Sequence, residues 1–343
     1  MMKKMINKFL SRRKFINVAK LSFLFLLSSC RNFSEKVNIA FQKQFYPLQF
    51  IDLIPNLWHQ KAISLNKFSK KSNLEDLKKI DLLLITDGWL NKINFDDFEN
   101  INPSLLSKLD DRSKTYLSNY DKSKQDKLMP IGINPYVVII KNNKNYKIDN
   151  NNSWDFLFSN DFKGKIILPK SARIVLSIMQ RIKNRDLLQN IANQEFIYDD
   201  KNSLDLLVNT EAAIAITPFS LSQKYLKIDS RLSIFFPDDG VPLLWNFAMI
   251  KSSLNIEEFN NWIDLLSEPK TAKMLVKAGW YLPFQTVTMD QLYSENIKQF
   301  SGLNLRPSKK CWDNSWSFPP LNPQEKKELE ILGNKLLNPK LSP

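Results

Sequence analysis

The sequence predicts an α/β protein of two lobes joined by a double crossover hinge, and three stretches carry that expectation. Asp238-Asp239-Gly240 is a turn that leads, with Pro242, into a run without charge from Val241 to Ile250. The run reads as a buried strand, although its length also permits a helical segment. Asp81-Leu82-Leu83-Leu84-Ile85 ends in an unbroken apolar run, the mark of a parallel strand covered on both faces. Met129–Ile140 is an extended run too long for one compact strand. It places a first crossing between lobes near Gly132–Pro135, and the opening stretch places a second near Val241–Leu244.

Size and composition set the frame. A chain of 343 residues, 43% hydrophobic, can bury a sizeable core in one or two domains. The formal charge of +14 raises the class of nucleic-acid binders. Yet Lys3, Lys4, Lys8, Arg12, Arg13, Lys14 and Lys20 stand in the first 29 residues with no acid, which leaves only +7 on the rest. No RNP, zinc or basic-zipper pattern accompanies the charge, so nucleic acid is not an expected partner.

Those first residues read as an export signal. Ser11-Arg12-Arg13-Lys14-Phe15-Ile16 has the twin-arginine pattern, and the mostly apolar run Val18–Leu27 that follows is too short to span a bilayer. It ends Leu27-Ser28-Ser29-Cys30, similar to a bacterial lipoprotein cleavage box, where the thiol takes the lipid. Residues 1–29 are therefore expected to be removed, with Cys30 lipidated and 30–36 a tether that holds the protein to the membrane on the periplasmic side. An acylated Cys30 leaves Cys311 without an intrachain partner, so no disulfide framework is expected. Beside Trp312, Cys311 reads as packed rather than reactive.

In chain order, Val37–Phe45 reads as a first strand, ended by Tyr46-Pro47. A helix over Leu48–Ala62 is expected, kinked or divided by Pro55, and it carries His59, the single histidine, at a surface position. Asn73 is a helix cap with acids in the first turn. Thr86-Asp87-Gly88-Trp89 ends the strand after Asp81 and is a site candidate, since open α/β sheets bind ligands beyond the carboxyl ends of strands. A plain Asp-capped turn is the other reading. Helix is expected within Leu105–Tyr120, and an exposed loop over Lys141–Asn152. Ser153 caps a short helix, Ile166–Leu168 is a strand, and Ser171 is the expected N-cap of a helix with Ala172, Val175, Leu176, Met179 and Ile182 at 3.6 spacing. Strand, turn and helix N-terminus in that order present N–H groups to an anion. Ala212–Ile216 is a strand ended by Thr217-Pro218. Helices follow at Ile256–Leu266 and from Pro269, the latter closed by Gly279. The tail carries Trp312, Trp316 and an amphipathic helix near Pro323–Leu337, read as packing.

The order of these pieces resembles the solute-binding proteins of ABC importers, in particular the polyamine (spermidine/putrescine) type. The resemblance rests on Ile80-Asp81-Leu82, Met129-Pro130, Trp154-Asp155-Phe156-Leu157, Phe162-Lys163-Gly164-Lys165 and Ser171-Ala172-Arg173. Leu244-Trp245-Asn246-Phe247, Glu268-Pro269 with Ala272-Lys273, and Gly279-Trp280-Tyr281 complete it, over most of residues 37–285. It implies a two-lobe periplasmic-binding-protein-like fold that closes by hinge motion on a small-molecule solute. It also implies delivery to an ABC permease in the inner membrane, no cofactor, no metal and no catalysis, in a protein expected to be a monomer. The lobes expected are 37–132 with 244–290, and 135–242 with 291–343.

The sequence departs from the polyamine pattern. The turn where that family carries acids is Lys170-Ser171-Ala172-Arg173-Ile174, and a further family acid aligns with Asn246 or Phe247. Buried ammonium groups need charged partners, and Asp87 is the one acid among the expected cleft positions. A small neutral or anionic solute is expected instead. The expected ligand-binding residues are Tyr46, Thr86, Asp87, Trp89, Asn134, Ser171, Arg173, Thr217, Trp245, Asn246 and Trp280. An exported enzyme on a similar scaffold is the competing class; one histidine, 7 glycines and no nucleophile motif argue against it.

Overall fold

The computed structural model describes residues 37–56, 58–62, 80–142, 153–182, 195–286 and 306–337. The expected export signal with Arg12, Arg13 and Cys30, the tether, and the helix starting at Asn73 lie outside the described residues. Contacts divide the chain into the units Met1–Val37 and Asn38–Pro343, and every element below belongs to the second.

The described strands are β1 (Asn38–Phe41), β2 (His59–Ala62), β3 (Leu82–Thr86), β4 (Met129–Lys141), β5 (Ile166–Leu168), β6 (Glu195–Tyr198), β7 (Ile214–Pro218), β8 (Leu232–Phe235) and β9 (Leu243–Ile250). They hydrogen-bond in the order β2-β1-β3-β9-β4-β7-β5-β6, with β8 also on β4. Strands β1 to β3 run parallel, as do β5 to β7, while β9 runs antiparallel between β3 and β4. The apolar runs β3, β4 and β9 are buried along their whole length, as strands covered on both faces must be.

Strand β4 is one continuous strand of 13 residues, where two shorter pieces were expected. At about 3.3 Å per residue it is roughly 43 Å long, more than any single neighbour here can pair. Its two halves solve this with different partners. Met129–Pro135 pairs with β9, and Tyr136–Lys141 pairs with β7 and β8. Pro135 stands where the partners change and Pro130 at a register shift, the two places where a missing N–H costs least. Gly132 lies under Trp280, and a Cβ there would stand 1.9 Å from the indole nitrogen.

Several expected boundaries moved. The helix over Leu48–Ala62 is a single turn, Leu48–Ile51, followed after Pro55 by the strand His59–Ala62, so His59 lies on a strand. Proline denies the helix a hydrogen bond beyond Ile51, and the chain instead adds β2 beside β1. The first strand ends at Phe41, and Lys43–Phe45 is a 3-10 turn. The helical stretch within Leu105–Tyr120 breaks at Asp110, whose side chain caps the helix Asp111–Leu117. Thr217 and Pro218 belong to β7, and the next helix, Phe219–Ile228, begins directly after them. The helices Ile256–Ser267 and Pro269–Lys277 lie where periodicity put them, and Gly279 takes φ +79°.

The C-terminal part is anchored twice. The helix Lys309–Asn314 buries Cys311 and Trp312, and its end touches the Asp238-Asp239-Gly240 turn so closely that a Cβ on Gly240 would meet the Asn314 carbonyl oxygen at 2.2 Å. Burial pushes the Cys311 thiol pKa up to about 12, so the packed thiol does not ionise at neutral pH. The helix Pro323–Leu337 packs on the helix Ala172–Met179, with Gly333 against Ala172.

Candidate functional site

Adjacent residues of β9 point to opposite faces of the sheet, and the expected site residues divide accordingly. On one face, Trp245 stacks on Tyr116 with ring centroids 4.5 Å apart and planes 13° apart, and Phe247 lies beyond at 6.1 Å. Tyr116 comes from the helix Asp111–Leu117 and reaches the end of β3, where its hydroxyl lies 3.1 Å from Asp87 Oδ2. Asp87 Oδ1 accepts the Gly88 N–H at 2.8 Å, and the carboxyl also accepts the Trp245 backbone N–H. Part of the Asp87 residue stays accessible, but its carboxyl group is enclosed. Burial raises its pKa to about 7, against the lowering pull of Arg173 and of the Tyr116 hydrogen bond.

Arg173, in the first turn of the helix Ala172–Met179, faces this carboxyl from across the sheet order. Burial lowers its pKa and Asp87 raises it again. The guanidinium lies over the Phe318 ring at 5.0 Å and donates to the Pro319 carbonyl oxygen. The Trp245 indole N–H donates to Ser317 Oγ at 2.7 Å, and the Tyr116 hydroxyl lies 2.8 Å from the Phe318 carbonyl oxygen. Asp87, Trp245 and Arg173 are thus brought together, with Tyr116 and the segment Ser317–Pro319 between them.

Tyr116 has one hydroxyl proton and two acceptors, Asp87 and the Phe318 carbonyl, with the Tyr120 hydroxyl also at 3.3 Å. Both bonds are satisfied together only when Asp87 carries a proton and donates to the phenol. An ionised Asp87 competes with Phe318 for that single proton. A carboxyl pKa near neutrality makes this competition run in the ordinary pH range.

The opposite face is different. Tyr46 stacks on Trp280 and on Phe50, each with centroids 5.2 Å apart, and Phe50 meets Trp280 at 5.4 Å. Asn246, between β3 and β4 and fully buried, has no hydrogen-bond partner on either amide atom among the described residues. The Tyr46 hydroxyl, Gln42 Oε1 and both amide atoms of Gln223 are likewise buried and unpartnered there. Gln42 and Tyr46 flank the turn Lys43–Phe45, which packs against the helix Phe219–Ile228 that carries Gln223. Such groups each cost about 1–3 kcal/mol when left dry and unbonded.

The remaining expected residues have local partners or lie apart. Asn134 bonds Ser220 through both its amide atoms, and Thr217 lies 3.4 Å from Ser203 Oγ. Thr86 is buried at the end of β3, opposite Asn246. Trp89 is half-buried under the Lys92 ammonium, 4.4 Å above its ring, away from the other tryptophans' stacks. Ser171 stands at the N-cap position, but its hydroxyl makes no capping bond; the turn is fastened by Asp200, whose Oδ1 accepts the Lys170 N–H at 3.0 Å.

Sequence reasoning missed Tyr116, Asp200, Gln223 and the segment Ser317–Pro319. Asp200 is a second acid beside the expected cleft turn, and burial raises its pKa. Its charge and that of Asp87 both act on the buried Tyr136 phenol. It comes from the end of β6, a strand the sequence reading did not resolve. No cluster of three or more His, Cys, Asp or Glu side chains suited to a metal ion occurs among the described residues.

The sequence pattern of a bacterial extracellular solute-binding protein family matches residues 78–299. No curated protein matches the sequence. Among solved structures, the spermidine/putrescine substrate-binding protein PotD of Streptococcus pneumoniae aligns with a TM-score of 0.64 at 11% identity, over 88% of this chain and 98% of that one. A putative spermidine/putrescine ABC transporter protein of Listeria monocytogenes gives 0.59 at 16% identity, over 88% and 99%. A ferric binding protein of Campylobacter jejuni gives 0.58 at 13% identity, over 88% and 99%. Identities this low speak for a shared fold, a two-lobe binding-protein architecture, and leave the ligand to the chemistry of the site.

Proposed function

We propose a binding role from this premise: the chain belongs to the family of bacterial extracellular solute-binding proteins, which serve ABC importers. Its lobes are 37–132 with 244–290, and 135–242 with 291–343, a division supported by the change of partners along β4 at Pro135. The solute is captured between them and passed to an inner-membrane permease. The observation that carries the ligand reading is the buried, unpartnered amide of Asn246 in β9, just after the second crossing. An amide that lacks both a donor and an acceptor calls for a small solute offering both.

The charges near the expected cleft are balanced. Asp87 faces Arg173, and Asp200 holds the turn at Lys170. That balance suits a neutral or anionic polar solute and leaves a polyamine short of acids. The similar solved structures include proteins named for polyamines and for ferric ion, two chemistries on one fold, so the fold does not choose between them. Calorimetric titration of the mature protein with amino acids, carboxylates, phosphate, putrescine and spermidine tests the reading. A neutral or anionic solute is expected to bind, and Asn246→Leu to abolish it. Spermidine is expected to bind no tighter than about millimolar, since one acid and cation–π contacts supply roughly 0.5–2 kcal/mol each. Micromolar spermidine binding lost in Asp87→Asn would falsify it.

The location follows from the sequence signal. Twin-arginine export through Arg12 and Arg13 and lipidation at Cys30 would leave the protein anchored at the membrane. Labelling cells with a clickable fatty acid, wild type against Cys30→Ala, reads this directly. Incorporation is expected in the wild type alone, and equal labelling of both would remove the anchor from the account.

A further inference from the structure

The segment Ser315–Pro320 runs past the groups that the binding reading assigns to the cleft, and it meets them as a ligand would. Its backbone enters beside the second crossing, where Trp316 N–H donates to the Val241 carbonyl and Leu243 N–H donates to the Trp316 carbonyl. From there, Trp245 donates to Ser317, Tyr116 meets the Phe318 carbonyl, and Arg173 both donates to the Pro319 carbonyl and covers the Phe318 ring. All three groups are donors, and each meets an oxygen acceptor of the segment. Part of the segment's own chemistry fits that pattern: Pro319 and Pro320 have no N–H, so that end brings a carbonyl acceptor without a backbone donor, while the Trp316 indole N–H stays buried without a hydrogen-bond partner among the described residues. Phe318 is buried although both its neighbours are more exposed.

The segment is anchored at both ends by helices and held in the middle by the hydrogen bonds of Trp245, Tyr116 and Arg173, contacts that a solute can replace. The helix Lys309–Asn314 is fixed upstream by buried Cys311 and Trp312, and the helix Pro323–Leu337 downstream by its packing on the helix Ala172–Met179. A strap fastened this way can lift off without unfolding its anchors. Being tethered, it competes at an effective concentration in the millimolar range, whatever the free solute concentration.

We infer that Ser315–Pro320 is a built-in competitor for the cleft, and that solute with carbonyl or carboxylate oxygens binds by displacing it from Trp245, Tyr116 and Arg173. The inference rests on the solute-binding reading of this cleft. Release of the strap then accompanies loading, so the loaded protein differs from the empty one along its C-terminal edge. The apparent affinity for solute is then the intrinsic affinity multiplied by the fraction of molecules in which the strap is lifted.

A fluorescein-labelled peptide copying Ser315–Pro320 is the probe, added to the full-length mature protein and followed by anisotropy. In the wild type the tethered copy is expected to exclude it. In the double variant Ser317→Gly, Phe318→Gly, whose anchors remain, binding is expected to be at least about ten-fold tighter. Adding Arg173→Ala to that variant is expected to abolish it. Equal binding to wild type and opened variant, or none to a folded opened variant, would overturn the inference. Hydrogen exchange of the wild type gives a reading that needs no variant. Amides of 316–318 are expected to exchange at least about ten-fold faster than those of 311–314, and equal protection of the two stretches would overturn it. A solute that binds wild type and opened variant equally would sink the strap and leave the binding function standing. A peptide that binds the opened variant while no solute binds either form would do the reverse.

Discussion

The two faces of β9 solve the same problem in opposite ways. On the Trp245 face three donors, Trp245, Tyr116 and Arg173, meet oxygens of residues 317 to 319 of the same chain. On the Asn246 side the Asn246 amide, the Tyr46 hydroxyl, Gln42 Oε1 and the Gln223 amide meet no partner among the described residues. Trp245 and Asn246 are neighbours on β9, between β3 and β4, so their place in the sheet alone does not account for the difference. The difference is who answers the polar groups. One set is answered by the protein's own strap, which solute would have to displace, and the other meets no protein partner among the described residues. A buried polar group without a bond destabilises the fold, and a binding protein tolerates that cost where the ligand will remove it.

The largest way to test this contrast is to cut each face at its aromatic centre. Trp245→Ala and Trp280→Ala each remove a fully buried indole and should cost about 3–5 kcal/mol, read by urea denaturation. Their other consequences should differ. Trp245→Ala also takes away the donor to Ser317 and the stack on Tyr116, so exchange at 316–318 should accelerate. Trp280→Ala loses contact with Tyr46, Phe50 and Gly132 and should leave that exchange unchanged. Equal loosening of the strap by both variants would show that the two faces are not independent.

Asn246→Leu sharpens the contrast from the other side. Leucine shares the branched shape of asparagine with bulkier methyl ends and has no unbonded polar atoms, so the empty protein should become more stable by about 1–3 kcal/mol less the cost of fitting the larger side chain. Solute binding should disappear at the same time. Gain of stability with loss of binding is the signature of a functional polar group, since a merely structural amide would lose stability when removed. A destabilised variant would mean that Asn246 already has a partner, and the ligand reading would lose its support.

How much of this was legible follows from what each residue touches. The strands β3 and β9, the helix Ile256–Ser267 and the Gly279 terminus were readable, because burial and periodicity are local properties of the chain. The helix expected over Leu48–Ala62 was not, because Pro55 leaves local pattern undecided and the pairing of His59–Ala62 with β1 decided it. Asp87, Trp245 and Arg173 were named from the ends of strands and helices, and the fold brings them together. Tyr116 was out of reach: its spacing in a helix marks it only as buried, while its bonds run to Asp87, 29 residues away, and to Phe318, 202 residues away. The strap was read as packing for the same reason. A proline pair beside an aromatic residue says nothing in sequence about which donors it will answer.

The subtlest test asks how the charge of Asp87 is coupled to the strap. Its carboxyl pKa is raised by burial from 3.8 to about 7 in the folded protein. A raised carboxyl pKa means that the folded state binds the proton more tightly than the unfolded state. Stability from this group therefore falls as pH rises from about 4 to about 7, and the penalty is complete above that window. The groups that face or feel the carboxyl are Tyr116, Tyr120, Tyr136, Arg173 and the N–H groups of Gly88 and Trp245. None but Asp87 has a pKa direction that brings its titration into that window. Asp87→Asn should abolish the slope, with a melting temperature above the wild type by several degrees at pH 8 and no gain at pH 4. The amide also stands in for the protonated acid, since its N–H donates to the Tyr116 hydroxyl and leaves that proton for Phe318. Strap exchange in the variant at pH 8 should accordingly match the wild type at pH 5, after correction for intrinsic rates. A wild-type strap whose corrected exchange is the same at pH 5 and pH 8 would mean that Tyr116 keeps its bond to Phe318 whatever the charge on Asp87.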